Sequence, residues 1–429
     1  MTERVGISDI SLYLPKNRIS LDRILEKRAA DDPKFERRLS RAIQSTDQKA
    51  IRFPSPWEDA SVLAGNALIR LLKQGVSIDK LRYLVVGTET SVDMSKSMSA
   101  YVQGMIDQTE FALPSTISSY QVQHACAGAT LGMLSIAGML QSSALPGENG
   151  IVIASDIARY DAPSTAEITQ GAGAAAMLIE QNPRLLSLDL QTQGFSSKNV
   201  DDFFRPLGST TAKVKGRYSV DCYNNALDEA FLDYCSRSNK SPQEALQATD
   251  YFVFHVPFAK MASTAVRRLL GTYMEMSQQS AEEFLTNRGF FEALEVTANV
   301  GNMYTGAIYL NLMATLYQDY QRVGKDIIGK KILFSSYGSG NTMLVFEGEV
   351  LPDAPAVIEA WNPDDFLNHY VESDFSSYQS WLDRNYEPQT YNEQASRDSY
   401  TETVEPGCFY LESIRSDDEY REYKYRETR

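Results

Sequence analysis

Among 429 residues there are only four cysteines and three histidines, so each can be weighed singly. Cys126 falls where a short strand turns into an apolar helix, in YQVQHACAGATLGMLSIAGML. Backbone N–H groups without partners, together with the helix dipole, favour a thiolate at such a position. Cys222, Cys235 and Cys408 have no comparable setting and read as inert thiols. Glu89 directly follows the apolar run YLVVGT. A carboxylate just past a buried strand is a candidate base, because desolvation raises its pKa toward working pH. His255 closes DYFVFH, and a polar group at the end of a buried strand needs a partner in the protein or in a substrate. His124 lies two residues before Cys126 and would point the same way on a strand, though it reads as a structural histidine. His369 sits in an acidic tail and reads as surface.

Two glycine turns, Gln170-Gly171-Ala172-Gly173 and Tyr337-Gly338-Ser339-Gly340, precede apolar strands. They can aim backbone N–H groups at an oxyanion. Neither is a nucleotide fingerprint: no GxGxxG opens a helix and no GxxxxGK[ST] occurs. Cysteine, histidine, glutamate and glycine turns together suggest acyl transfer or carbanion chemistry.

These residues fall on a pattern that occurs twice. LRYLVVGTE, the strand-to-helix unit at Cys126, and IVIASD followed by QGAGAAAMLI make one set. DYFVFH, then GNMYTGAIYLNL, then KILFSSYGSGNTMLVFE make the second, in the same order. The repeat is far longer than a solenoid period and marks an internal duplication. It predicts a layered α/β fold with two related sheets, helices buried between them and a site where the halves meet. We expect one unit over 1–429, with an N-terminal half at 1–182, a C-terminal half at 183–350 and an acidic extension at 351–429 packed on the core. Val5–Leu14 alternates like a strand, Leu21 to about Arg41 reads as one charged helix, Cys408–Ile414 as a late strand, and DDEYREYKYRETR as a solvated end.

Composition narrows the partners. The formal net charge is −15, which disfavours nucleic acid and anionic membrane surfaces. No C-x-x-C or Cys/His cluster marks a zinc site, and no metal is expected. MTERVGISDISLYLP carries charges at once and no stretch nears the length of a membrane span, so a cytoplasmic protein with reduced thiols is expected.

The same residues resemble the 3-hydroxy-3-methylglutaryl-CoA synthase family of the thiolase superfamily. The carriers are GTETSVDMSKS, ACAGAT, ASDIARY with TQGAGAAAMLIEQNP, DFFRPLG, FHVPFAKM, VGNMYTGAIYL and SYGSG, spanning Val5 to about Glu349. The resemblance implies the thiolase-like αβαβα fold, a homodimer, acetyl-CoA and acetoacetyl-CoA as substrates, and no cofactor beyond these CoA thioesters. It implies that Cys126 carries the acetyl group, that Glu89 removes a proton from the acetyl methyl, and that His255 holds acetoacetyl-CoA and protonates the new alkoxide. Asn302 is expected to bind acetoacetyl-CoA near its thioester carbonyl, and Lys260 to lie near the CoA entrance. The Cys126 N–H and an N–H of the Gly338–Ser339 turn would form the oxyanion hole. Thr169, within TQGAG, joins the substrate-binding set. The chain departs from the family at Ala127, where an aromatic residue is usual, and at His124, often Glu. Ser263 and Thr264 follow Lys260 where further lysines are common. These departures leave room for an acyl-carrier-protein-bound acetyl donor. A 3-ketoacyl synthase and a non-catalytic scaffold complete the alternatives.

Overall fold

A computed structural model describes residues 4–143 and 145–428. Its centre is a sheet of ten strands. In chain order they are β1 (Val5–Tyr13), β2 (Leu81–Gly87), β3 (Ser118–Val122), β4 (Asn149–Ala158), β5 (Gly171–Gln181), β6 (Leu186–Leu188), β7 (Gly194–Ser197), β8 (Tyr251–Phe254), β9 (Lys331–Gly338) and β10 (Thr342–Val350). β2 runs parallel to β3 and β4, and β4 antiparallel to β5. The later strands repeat this sense: β8 is parallel to β9, and β9 antiparallel to β10.

The two sets are not separate sheets, as the sequence had suggested. The short β6 pairs antiparallel with β1 on one side and β10 on the other. It joins them edge to edge, through two residue pairs with β1 and three with β10.

The repeat also sets the central helices, α2 (Gly128–Gln141) and α4 (Gly306–Val323); α1 (Pro33–Thr46) and α3 (Ala259–Met274) lie outside them. α2 has apolar residues nearly all round, the mark of a helix covered on most sides. It can lie directly on β2 because Gly87 has no side chain: a Cβ there would come within 2.1 Å of the Ala129 nitrogen. Thr130 on α2 bonds the hydroxyl of Tyr309 on α4 at 3.0 Å and accepts from Ser336 of β9 at 3.0 Å. This buried hydroxyl chain ties the two halves together beneath the site.

Three sequence expectations are revised. All nine residues of β1 are buried, not alternate ones, because it is covered on both faces. The charged segment from Leu21 forms two helices, Leu21–Asp31 and α1, since Asp32 caps Lys34 and Pro33 begins the second. The charged end is not loose: Arg421–Arg426 pairs antiparallel with Cys408–Ile414, and buried Tyr423 donates to Asp59 at 2.8 Å. Within the tail, the helix Phe375–Leu382 buries Tyr378 and Trp381 against Phe53. Among the described residues no helix is long and apolar enough to cross a membrane.

Candidate active site

Glu89 and His255 stand at equivalent places, just beyond the ends of β2 and β8. Cys126 lies two residues before α2, after Ala125, whose backbone takes a positive φ of 37°. Asn302 lies four residues before α4, and Tyr304 between them has a φ of 49°. Both helix entries therefore use a non-glycine residue in the left-handed region, a strained arrangement common at functional sites.

Cys126, His255, Asn302, Thr169 and Ser339 line one cavity of about 550 Å³, with Tyr160 and Tyr304 among its walls. Cys126 is 6 % exposed and His255 1 %. The His255 N–H donates to the Ser335 carbonyl at 2.7 Å, and its imidazole Nδ1 is buried without a partner. Burial pushes the imidazole down to about 3, so it is neutral at physiological pH.

Glu89 faces an adjoining chamber rather than this cavity. Phe203 and Ser339 belong to the walls of both. Arg205 donates to Glu89 Oε1 at 3.0 Å, while Oε2 is buried and unpartnered. Burial raises the Glu89 carboxyl and the Arg205 charge opposes it; the rise prevails. The Glu89 N–H donates to Asp156 at 2.9 Å. Asp156, which also accepts from Thr88 and Thr90, is pushed up to about 8 by burial and by the Glu89 charge.

The thiol does not behave as its helix position suggested. Burial, then the Glu89, Asp156 and Asp202 charges, push Cys126 well above the ordinary thiol range, with Arg205 opposing. Burial and charge thus both disfavour the thiolate, and attack requires the proton to be drawn off.

The glycine turn reaches the nucleophile turn. A Cβ on Gly338 would sit 2.8 Å from the Ala127 Cβ and from the His124 carbonyl oxygen. Asp202 holds this turn in place, accepting from the Tyr337 hydroxyl at 2.7 Å and the Gly340 N–H at 2.9 Å. His124 lies apart from the Cys126 cavity, in an open depression with Lys198 and Asn341. Lys260 is exposed on α3 and its Nζ donates to the Gln44 carbonyl of α1 at 3.4 Å. It stands near the α1 residues Ser45 and Thr46, which form part of the cavity wall, without lining the cavity itself.

Sequence reading assigned no role to Arg205, Tyr160, Tyr304, Asp156 or Asp202. Arg205 also donates to the Tyr304 hydroxyl at 2.9 Å, and Asn302 contacts the Tyr160 hydroxyl at 3.3 Å. The signals were present: all five fall within ASDIARY, DFFRPLG or GNMYTG.

Comparison with known proteins identifies the family. The model of the hydroxymethylglutaryl-coenzyme A synthase N terminal matches residues 1–183, and that of the C terminal matches residues 186–290 and 272–427. A hydroxymethylglutaryl-CoA synthase of Enterococcus faecalis is 30 % identical over 349 residues, covering 81 % of this chain and 83 % of that one. Its counterpart in Haloferax volcanii is 27 % identical, covering 87 % and 90 %. An MvaS structure in complex with 3-hydroxy-3-methylglutaryl coenzyme A superposes with a TM-score of 0.83 at 28 % identity, over 99 % of this chain and 100 % of that one. The synthase of the curacin biosynthetic pathway, solved with a holo donor carrier protein, shares the fold at a TM-score of 0.82 and 22 % identity, over 98 % and 100 %. This chain belongs to the hydroxymethylglutaryl-CoA synthase family.

Proposed function

We propose that the chain condenses acetyl-CoA with acetoacetyl-CoA and water to give 3-hydroxy-3-methylglutaryl-CoA and CoA. The observation that carries this is the grouping of Cys126, His255 and Asn302 around one cavity, with the unpartnered Glu89 Oε2 buried beside it.

The steps follow from the groups present. The neutral His255 imidazole has a lone pair and can relay the Cys126 proton toward the departing CoA sulfur. The sulfur attacks the acetyl-CoA carbonyl, and CoA leaves as the acetyl-cysteine forms. N–H groups of the Cys126 and Gly338–Ser339 turns offer the oxyanion a site. Glu89 Oε2 removes a proton from the acetyl methyl, which the thioester has made acidic. The resulting carbon attacks the ketone of acetoacetyl-CoA, held by Asn302, and His255 passes a proton to the alkoxide, balanced by the one that Glu89 removed. Water then cleaves the Cys126 thioester. Thr169 contributes to the wall and Lys260 meets the CoA phosphates at the mouth.

The donor is CoA-bound in this reading. The Enterococcus faecalis and Haloferax volcanii relatives carry the CoA-synthase name and the MvaS structure at 28 % identity holds a CoA ester, whereas the carrier-protein complex lies at 22 %. Such a product serves isoprenoid precursor synthesis by the mevalonate route, and the four unbridged cysteines support a cytoplasmic setting. A homodimer is favoured by β3, an edge strand that pairs, among the described residues, with β2 alone. The test is to supply both thioesters and follow loss of acetoacetyl-CoA and appearance of product. Wild-type turnover that Cys126→Ala abolishes supports the reading; product formation by Cys126→Ala refutes it.

A further inference from the structure

The chamber on the Glu89 side has a volume of about 550 Å³, matching the Cys126 cavity. Its charged lining is Arg159, Arg205, Arg384 and Arg421 against Asp59 and Glu89. Two carboxylates are already matched: Arg205 pairs with Glu89 at 3.0 Å and Arg421 with Asp59 at 2.6 Å. Arg159 and Arg384 have no acidic partner among the described residues. Arg159 donates to the Leu382 carbonyl, and Arg384 to the Pro54 and Ser55 carbonyls at 3.4 and 2.9 Å. The Nε groups of Arg159, Arg205 and Arg384 are all buried without partners among the described residues.

Surplus positive charge is therefore gathered at one cavity of a chain with net charge −15. It is held there at a cost: burial, and among the nearby charges Arg384 and Arg205, lower the Arg159 pKa. Arg159 lies 5.5 Å from the Trp381 ring centroid, and the tail helix carrying Trp381 fixes its place. Arg159 and Arg384, close enough to repel and with no counter-ion among the described residues, suit an anion, and their planar forks match a carboxylate.

The position says which anion. Ala125, the residue before Cys126, lines this chamber, and Ser339 and Phe203 separate it from the thioester cavity. We propose that the chamber is a carboxylate site, which receives the acid group formed when water cleaves the Cys126 thioester. This rests on the reading of the chain as a condensing enzyme whose cycle ends in hydrolysis. Water adds to the thioester carbonyl and the C–S bond breaks. The sulfur leaves with one water proton as the thiol, the acid loses the other to solvent, and a carboxylate remains. Arg159 and Arg384 draw it away from the sulfur, while the CoA portion of the product still occupies the other cavity.

The test is calorimetric titration of the full chain with glutarate, with neutral glutaramide and with inorganic phosphate. Glutarate is expected to bind saturably, glutaramide not to bind, and phosphate to bind more weakly. Arg159→Gln with Arg384→Gln is expected to weaken glutarate binding by about tenfold or more. On the unmutated protein, glutarate is expected to shield Arg159 and Arg384 from phenylglyoxal, read by peptide mass spectrometry, so the proposal does not depend on the variant folding. Equal binding of glutaramide or phosphate, no shielding, or unchanged affinity in a folded double variant overturns it. Loss of glutarate binding with condensation intact removes the chamber's role and leaves the reaction standing. Glutarate binding in a protein that makes no product from the two thioesters overturns the role by removing its reaction.

Discussion

Arg205 places one guanidinium nitrogen 3.0 Å from Glu89 Oε1 and 2.9 Å from the Tyr304 hydroxyl. A single side chain thus joins the end of β2 to the entry of α4, one element from each half. The contact leaves Glu89 Oε2 free while opposing the rise that burial imposes on the carboxyl. Arg205 is a positioning residue in this account: it aims the base and opposes the rise in its pKa.

Arg205→Gln should therefore raise the Glu89 pKa further. The base works deprotonated, so the acidic limb of the condensation profile should move to higher pH, with kcat lowered about tenfold or more at neutral pH. Arg205→Lys should restore part of the shift. A pH profile of condensation, compared with that of Cys126 acetylation, checks this; equal displacement of both profiles would contradict it.

His255 is held neutral by burial, with its pKa near 3. In the free enzyme its imidazole signals should show no titration between about pH 5 and 8, measured by NMR on protein labelled at histidine. His255→Ala should impair use of acetoacetyl-CoA more than acetylation. A titration midpoint near the ordinary histidine value would mean that the site is wetter than its geometry shows.

At Gly338 the two turns touch. Gly338→Ala would put a Cβ 2.8 Å from Ala127 and the His124 carbonyl, and one turn would have to move. The expected cost is about 1–3 kcal/mol of stability by overpacking, with a disproportionate loss of acetylation rate. Thermal melting and single-turnover acetylation check the pair; unaltered acetylation would mean that the turn takes no part in the oxyanion site.

What the sequence made legible follows from where its signals lie. Cys126, Glu89, His255 and Asn302 each stand at the end of a buried strand or the start of a buried helix, where a polar residue after an apolar run is visible locally. Arg205, Arg159 and Asp202 gain their meaning only from partners far along the chain, such as Glu89, Trp381 and Tyr337. The thiolate expectation counted the helix end but not the three carboxylates around Cys126, which only the packed fold brings together. Arg421–Arg426 looked solvated because alternate residues are charged, yet Tyr423 between them is buried. The duplication predicted two related strand–helix halves; the short β6 that fuses the two sets carried no signal of its own.

The central claim is a division of labour: Cys126 carries the acyl group and Glu89 makes its carbon a nucleophile. It is tested most directly by mixing Glu89→Gln with acetyl-CoA, locating the adduct by peptide mass spectrometry, then adding acetoacetyl-CoA. The account predicts an acetyl group on Cys126 that forms and then persists, with product made at least about a hundredfold more slowly than by the wild type. An adduct on another residue, or one consumed at the wild-type rate, would contradict it.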